Sequence, residues 1–419
     1  MLHYAPKKRR KYLQCFAPAA LLLLSNRIQG MFSERTSWRL SPNRFTQAIE
    51  EVRATGATIL DLSASNPTRV GLEYDSAAIL RALGSPQSLD YDPQAKGLLS
   101  AREAVSAYYR EAHGIPDFDP ERIVLTTSTS EGYSHVFRLL CNAGDELLVP
   151  KPSYPLFDFL ADLQDVRVVG YPLIYDHGWQ IDFHSMERAI TKKAKAVVLV
   201  HPNNPTGSYV HMEELETLNV FCRGYGLTLI VDEVFLDYRL DDSASPSFAD
   251  NKDVLTFTLS GLSKISALPQ MKVGWILTSG PESDVETAVD RLEVVADTYL
   301  SMNAPVQWAL PIMLQQRHHI QRQLRERVKR NLSELDRQLA AQSACQRLCV
   351  EGGWYAVLRV PVTGSDEELA VALVREKSVI VHPGHFYDFP GDGYLILSLI
   401  PHHEEFAAGL SRVLEFLED

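Results

Sequence analysis

The feature that most constrains this chain is a regular alternation of short apolar strands and helices between residues 123 and 278. Residues 196–200, Ala-Val-Val-Leu-Val, are apolar on both faces, as parallel strands are when helices cover both sides of a sheet. Alternation of this kind predicts a doubly wound α/β domain with a mainly parallel sheet. The predicted strands are 123–126, 146–149, 166–171, 196–200, 228–231, 254–259 and 274–278, and the predicted helices between them are 131–142, 154–163, 183–190 and 212–224.

The pattern changes after Gly280, which indicates a second domain. Residues 281–340 are strongly helical and charged, and an α+β part follows with strands near 356–360, 379–382 and 395–399. A helix within 39–54 and a short strand at 59–62 precede the alternating region. We therefore expect a large domain over residues 75–305. A smaller α+β domain is expected from both chain ends, residues 31–74 and 306–419.

Residues 1–30 differ from the rest of the chain. They contain six basic residues and no acidic one, and an apolar run follows at 15–24. A basic stretch before an apolar run is typical of a signal peptide, but no small-residue cleavage site follows it. A run of this length is too short to span a bilayer as a helix. We favour an extension outside the fold, with Met31 as the true start, and an export signal remains the alternative.

The charge balance limits the class of partner. The chain has 41 basic and 53 acidic side chains, and residues 31–419 alone hold 35 against 53, a net charge of −18. A body this acidic does not favour nucleic-acid binding. No other apolar run is long enough to suggest a membrane segment. The five cysteines lack metal-ligand spacing, so we expect a reduced, cytoplasmic chain without a metal site.

Two charged residues follow apolar strands. Lys264 comes shortly after strand 254–259, and burial at such a place lowers the pKa of a lysine. The neutral amine is the form that makes a Schiff base. Asp232 ends strand 228–231, and a buried carboxylate needs a cation such as a protonated pyridine nitrogen. Taken singly, a lysine in this position is usually a surface lysine, and the aspartate is equally well explained as a helix N-cap.

Three polar turns follow neighbouring strands. Residues 126–132, Thr-Thr-Ser-Thr-Ser-Glu-Gly, open a helix, where free amide groups and hydroxyls can hold a phosphate. Residues 203–207, Asn-Asn-Pro-Thr-Gly, place Asn204 where its amide could donate to a phenolate oxygen. Tyr154 offers an aromatic face to a planar ring. Each turn alone is also consistent with an ordinary cap, a tight turn or a buried tyrosine.

In order and spacing these motifs resemble the fold-type I aminotransferases of class I/II, which use pyridoxal 5′-phosphate (PLP). The resemblance spans residues 35–419, with 28 residues from Asn204 to Asp232 and 32 from there to Lys264. It implies that Lys264 forms the Schiff base and moves the proton, while Asp232 pairs with the pyridine nitrogen. The other cofactor contacts that the resemblance implies are Asn204 to the ring hydroxyl, Tyr154 on the ring face, and Ser128, Thr129, Ser130 and Lys272 to the phosphate.

The resemblance also implies an assembly and a reaction. Tyr91 matches the family's tyrosine that reaches the neighbouring subunit's phosphate, which implies a homodimer with shared sites. The implied reaction moves an amino group between an amino acid, or a related amine, and a 2-oxo acid. The motifs specify the cofactor rather than the bond that breaks, so a PLP-dependent lyase acting by β-elimination and a decarboxylase stay open. A non-catalytic regulator on this fold is disfavoured by the acidic body.

Three positions near the cofactor motifs depart from the family pattern. Lys272 stands where an arginine is usual, and it keeps the charge but loses the bidentate grip on phosphate. Gly261 stands where a phosphate-binding hydroxyl is common. Phe235 stands where a tyrosine often bonds the ring hydroxyl.

A fourth departure concerns the substrate. Ile396, on the predicted strand 395–399, stands where the family has the arginine that binds the substrate α-carboxylate. The substrate could lack an α-carboxylate, or the register on this strand could differ. We favour the third explanation, in which another cation serves, with His382 and His385 as the candidates.

We predict that residues 1–30 are dispensable, because they carry no motif and no periodicity that joins the core. A chain that begins at Met31 is expected to be dimeric and PLP-loaded, as measured by gel filtration and absorbance. Removal of residues 1–60 serves as the comparison, since it also deletes the predicted first helix. Loss of cofactor on removal of residues 1–30 alone would contradict the prediction.

Overall fold

The computed structural model describes residues 31–38, 40–116, 118–240 and 246–418, so the predicted extension 1–30 lies outside the described residues. The α-helices of this part are α1 (Arg44–Ala54), α2 (Ser76–Leu83), α3 (Leu99–His113), α4 (Thr129–Leu140), α5 (Phe157–Asp162), α6 (Phe183–Ala189), α7 (Met212–Tyr225), α8 (Leu262–Ile265), α9 (Glu282–Thr298), α10 (Ala304–Gln315), α11 (Arg317–Leu339), α12 (Asp366–Lys377) and α13 (His403–Glu418). The strands are β1 (Leu60–Asp61), β2 (Ile123–Thr126), β3 (Glu146–Lys151), β4 (Arg167–Tyr175), β5 (Trp179–Ile181), β6 (Ala194–Val200), β7 (Thr228–Asp232), β8 (Thr256–Gly261), β9 (Gly274–Ser279), β10 (Gln346–Arg347), β11 (Tyr355–Arg359), β12 (Val379–Ile380), β13 (His382–Pro383) and β14 (Tyr394–Ser398).

The largest sheet within these residues has the strand order β2-β9-β8-β7-β6-β3-β4-β5. Strands β9 and β5 run opposite to the other six, which are parallel to one another. Alternate residues of a strand point to opposite faces. Val198 and Val200 of β6 therefore pack with α4, α5 and α9, while Val197 and Leu199 pack with α6 and α7. The predicted doubly wound α/β domain is confirmed.

Three local features differ from the sequence prediction. Strand β5 was not predicted, because it is only three residues long and pairs with β4 alone. Helix α5 begins at Phe157 rather than at Tyr154, since a residue before proline is disfavoured in a helix and Pro155 follows Tyr154. The helical region 281–340 contains three helices, α9, α10 and α11.

The smaller α+β domain is built from both chain ends. Its described sheet is antiparallel in the order β10-β11-β14-β13, and β1 pairs in parallel with β12. Phe45 and Ile49 of α1 pack against Ala370 and Val374 of α12, which joins the N-terminal helix to the C-terminal part. The expected contribution of both chain ends is therefore present.

Helix α10 lies after the predicted domain boundary at residue 305 but packs with the large domain. Its Leu310 and Met313 share a buried cluster with Leu125 of β2 and Trp275 of β9. Helix α11 then reaches the small domain, where its Leu335 is fully buried among the residues of β11 and β14. We therefore propose that the large domain extends to the end of α10 and that α11 connects the two domains.

Candidate active site

Asp232 combines burial with charge at the end of β7. It is 6% exposed, its Oδ1 accepts the Val234 amide at 3.0 Å, and its Oδ2 accepts the Tyr133 hydroxyl at 3.2 Å. Burial raises the pKa of Asp232 to about 6, although these hydrogen bonds and the charge of Lys264 act in the opposite direction. A cation placed against this carboxylate would restore its charged form.

Lys264 lies on α8, which directly follows β8, the neighbour of β7 in the sheet. Its Nζ is 4.8 Å from the centre of the Trp354 ring and 5.3 Å from that of Phe235. Burial lowers the pKa of Lys264 to about 8, and the charge of Asp232 opposes that shift. The Tyr238 hydroxyl donates to the Lys264 carbonyl at 2.6 Å and holds the short helix in place. The amine is thus much nearer to its neutral form than an exposed lysine is.

The start of α4 forms an open helix N-terminus. Ser128 caps it, accepting the Glu131 amide at 3.2 Å, and Thr129 and Ser130 are its first two residues. The first amides of a helix have no partner inside it and attract anions. A Cβ on Gly274 would lie 3.1 Å from the Thr129 amide nitrogen, so glycine leaves this terminus uncovered. The arrangement suits a phosphate group.

Asn204 and Tyr154 follow β6 and β3, which are adjacent strands. Asn204 is 8% exposed, and its Oδ1 is buried without a hydrogen-bond partner among the described residues. The pKa of Tyr154 is raised to about 12 by burial and by the charge of Asp232, which places the two side chains near each other. The His201 amide donates to the Asp232 carbonyl at 2.8 Å and ties this loop to β7. The sheet edge therefore gathers the residues of the predicted cofactor motifs. Lys272 is among them, because β9 begins at this edge with Gly274 beside Thr126 and Gly261, whereas Tyr91 lies in the segment before α3.

Comparison with known proteins matches this arrangement to a family. The sequence profile of the aminotransferase class I and II family matches residues 57–403. The chain belongs to this family. Its fold, its nature as a transaminase and its dependence on PLP follow from that membership.

Individual relatives agree with the family assignment. The chain is 29% identical over 385 residues to a protein named alanine aminotransferase from Mycobacterium tuberculosis, covering 88% of each. It is 26% identical over 374 residues to the glutamate-pyruvate aminotransferase AlaA of Escherichia coli K12, covering 86% of this chain and 91% of that one. The structure of an alanine aminotransferase from Pyrococcus furiosus superposes with a TM-score of 0.85 at 22% identity, over 92% of this chain and 99% of that one. This last likeness shows the fold.

The described residues fit PLP. The cofactor requires an anion site for its phosphate, a carboxylate for its ring nitrogen, a donor for its ring hydroxyl and an amine for its aldehyde. The open N-terminus of α4, the buried Asp232, the side-chain NH2 group of Asn204 and the amine of Lys264 can meet these needs in turn. Tyr154 packs against the apolar cluster that contains Tyr133, the residue that bonds Asp232, so its ring is available on this side of the site.

Packing explains two of the departures from the family pattern. At Gly261 a Cβ would lie 2.7 Å from the Val273 carbonyl oxygen, so a hydroxyl-bearing side chain does not fit there without a shift of β9. The neighbouring Ser260 hydroxyl is buried and donates to the Glu233 carbonyl at 3.4 Å. Phe235 packs against Trp354, with ring centres 5.2 Å apart, and has no hydroxyl to offer.

Two predicted phosphate ligands, Lys272 and Tyr91, make no side-chain hydrogen bond or ion pair among the described contacts. Lys272 is exposed, and its backbone is left-handed with φ 55°, two residues before β9 begins. Tyr91 is 81% exposed, in the segment between α2 and α3. Neither side chain contacts the groups around Asp232 within the described hydrogen bonds. Their roles as phosphate ligands stay predictions.

The proposed replacement of the substrate-binding arginine needs a correction. Ile396 is 1% exposed and pairs with Val357 and His382 across the small sheet, within the small-domain core. Burial lowers the pKa of His382 to about 4, and its Nδ1 lies 3.0 Å from the Tyr387 hydroxyl. A neutral imidazole is not the cation that we expected, so the favoured role of His382 was wrong. His385 is exposed at the surface.

Three aromatic residues of the site were missed from the sequence. Tyr133 bonds Asp232, Tyr238 holds α8, and Trp354 faces Lys264. Tyr133 falls in the predicted helix one turn after the phosphate-type cap, so its position was available as a signal. Nothing local marks the other two, because their contacts join parts of the chain that are distant in sequence.

A membrane-spanning helix and a metal-binding cluster are both absent from the described residues. None of their helices is long and apolar enough to cross a bilayer. They contain no group of three or more histidine, cysteine, aspartate or glutamate side chains arranged to hold a metal ion.

We predict that Asp232→Asn stabilises the cofactor-free protein while weakening PLP binding. Above the folded pKa of about 6, the wild-type protein keeps a buried charge that the variant lacks. The variant is therefore expected to melt a few degrees higher at about pH 8, and the difference should shrink as the pH falls through about 6 and vanish only below about pH 4, where Asp232 is protonated in the unfolded chain as well. Thermal unfolding of the cofactor-free proteins at both pH values measures this.

The exposed Asp290 provides the matched control, since Asp290→Asn removes a charge without changing burial. It should leave the melting temperature nearly unchanged at both pH values. An Asp232→Asn variant that is less stable than the wild type at about pH 8 would show that its carboxylate stabilises the fold rather than the cofactor.

Proposed function

We propose that this aminotransferase holds PLP on Lys264 and moves an amino group between an amino acid and a 2-oxo acid. The observation that carries the assignment of residues is the convergence of Asp232 and Lys264 at the same edge of the sheet, where each shifts the pKa of the other. Asn204, Tyr154 and the start of α4 surround that pair. The transfer of an amino group and a proton requires these side chains and PLP but does not require a metal ion.

Bound PLP supplies an electron sink for the charge left when the α-proton of the substrate is removed. Lys264 is the group that takes and returns this proton, because its pKa of about 8 makes both directions accessible near neutral pH. Asp232 stabilises a positive charge on the ring nitrogen, and Tyr133 and Val234 orient its two oxygens. Trp354 and Phe235 keep water away from the lysine amine.

The relatives' names support alanine and pyruvate as one amino acid and 2-oxo acid pair of the reaction. The first matches are named for alanine or for glutamate and pyruvate, and the chain covers most of their length. We infer that the substrate carboxylate is bound by hydroxyl groups, because Tyr355 and Tyr387 lie buried near Tyr154, and His382 is neutral. Hydroxyl donors hold a carboxylate less strongly than a guanidinium does.

We also propose a cytoplasmic homodimer. Large apolar side chains are exposed on two stretches of the large domain, with Leu89 and Tyr91 on one and Val294, Tyr299 and Leu300 on the other. Exposed apolar groups in such number are typical of a covered interface. The four described cysteines are free thiols, which suits a reducing compartment.

Transamination and the alternative chemistries give different products. Mixing the PLP-loaded protein with alanine in the absence of an acceptor should yield pyridoxamine phosphate and pyruvate in equal amounts. β-Elimination needs a substrate with a leaving group on its β-carbon, such as serine, from which it would release ammonia and leave the cofactor as PLP. Decarboxylation of either amino acid releases carbon dioxide. The appearance of ammonia or of carbon dioxide in place of pyridoxamine phosphate would overturn the proposal.

We predict that borohydride reduction of the loaded protein attaches the cofactor to Lys264, as peptide mapping by mass spectrometry would show. Its lowered pKa makes it the reactive amine, whereas Lys272 is exposed. Lys264→Ala should lose the label, and Lys272→Ala should keep it. A label on Lys272 in the wild-type protein would refute the assignment.

We predict that Ile396→Arg raises kcat/KM for alanine roughly tenfold, because a charged hydrogen bond to the substrate carboxylate is worth about 1.5–3 kcal/mol. Ile396→Leu keeps the apolar character of this buried position and serves as the control for packing. Steady-state kinetics and melting temperatures of both variants are to be measured together. If the folded arginine variant shows no gain over the leucine variant, Ile396 does not occupy the carboxylate position.

A further inference from the structure

A cavity lies on the side of the large domain between the C-terminal end of α3 and the first half of α11. Its volume is about 430 Å³. The lining side chains that carry charge are Glu111, Asp237, Arg317, Arg322, Arg325, Glu326 and Lys329, and His318 and Gln321 complete the polar part. None of these residues takes part in the proposed transamination.

The helix that forms one wall is strongly basic. Residues 317–330 contain six arginine or lysine side chains and a single acidic one, Glu326, in a chain whose residues 31–419 carry a net charge of −18. The positive charges act on one another: the charge of Arg330 contributes to the lowered pKa of Arg327, and that of Arg317 contributes to the lowered pKa of His318. The helix therefore presents a local positive surface on an acidic protein.

Most of the acidic groups in the wall are already bonded. Glu111 accepts from Arg317 at 2.7 Å. The buried carboxylate of Asp237 accepts from Tyr108 at 3.1 Å and Gln321 at 2.5 Å. It also lies 3.2 Å from His113.

Three basic side chains stay available at the cavity. Arg322 and Lys329 are exposed and make no ion pair within the described residues. Arg325 donates to two neutral acceptors, the Asp237 carbonyl at 3.1 Å and the Gln321 side chain at 3.2 Å. They occupy positions i, i+3 and i+7 of α11, which share one face and span about 10 Å along the helix.

From this cluster we infer a second binding site, for a small molecule with two or more anionic groups such as phosphates or carboxylates. Guanidinium groups pair bidentately with both kinds of oxyanion. The three cations are spread over a length greater than that of one phosphate. A ligand with two separated anionic groups can therefore pair with more of them than a single phosphate can. The size of the cavity favours a small molecule over a nucleic acid or an acidic protein.

The floor of the cavity is joined to the helix that carries the reactive lysine. Gln321 donates both to Asp237 and, at 3.0 Å, to the carbonyl of Ile265, the residue after Lys264. The Arg317 guanidinium lies over the Tyr108 ring, 5.4 Å from its centre. These contacts fix the backbone of α11 against α8 and α3 before a ligand arrives.

The test uses the PLP-saturated protein, so that an anion does not enter the cofactor's phosphate site. Inorganic pyrophosphate and citrate are titrated separately by calorimetry, and the rise in melting temperature is recorded for each. The double variant Arg322→Ala/Lys329→Ala removes two of the cations and should weaken binding of the better probe roughly tenfold. Binding should also weaken as salt is added.

A variant with the same change in net charge separates the site from a general effect. Lys192 and Lys193 are exposed between α6 and β6, and Lys192→Ala/Lys193→Ala should bind the probe as the wild type does. Comparison of pyrophosphate with citrate identifies the preferred oxyanion. The inference is overturned if the wild type shows no saturable binding of either probe, if both double variants lose binding equally, or if polyaspartate binds where the small anions do not.

Discussion

The opposed charges of Asp232 and Lys264 are the constraint on which the site depends. Both groups lie where water is scarce, and burial moves their pKa values toward each other, to about 6 and about 8. Neither group gains much from remaining ionised in the empty protein. PLP brings a ring nitrogen to Asp232 and an aldehyde to Lys264. Binding of PLP therefore compensates the unfavourable burial of both groups.

The order of the strands creates this pair. Strands β6, β7 and β8 are neighbours and run parallel, so their carboxyl ends bring Asn204, Asp232 and Lys264 to one edge although they are far apart in sequence. Parallel strands must be connected by segments that return across the sheet, and each return places a loop at this edge. The site is therefore a consequence of topology first and of individual side chains second.

The topology also explains how much of the fold and of the site could be predicted from the sequence. Strand and helix positions in the large domain were predictable because the strands are short, unbroken apolar runs, as in residues 196–200, and helical segments alternate with them. Asp232, Asn204 and the cap at Ser128 were visible because they stand directly after such strands. Strand β5 was not, since three residues carry no period. The packing of α10 on the large domain was hidden because an apolar helix does not specify its partner.

The remaining errors concern the surroundings that the folded chain gives to single side chains. The burial of His382 comes from Tyr387 and the strands beside it, and no feature of the histidine's own neighbours in sequence revealed it. The same holds for Trp354 beside Lys264. A histidine was expected to be charged from its chemistry alone, but its environment, which only the fold supplies, determines its pKa.

The contact of Trp354 with Phe235 has a consequence for the order in which the protein unfolds on heating. These rings belong to a buried cluster that joins the small domain to the segment after β7, and both face the lysine amine. If the small domain separates from the large one, the amine meets water and regains the charge of an ordinary lysine. Loss of the yellow colour of the bound cofactor on heating would then report the parting of the two domains before the large sheet itself melts.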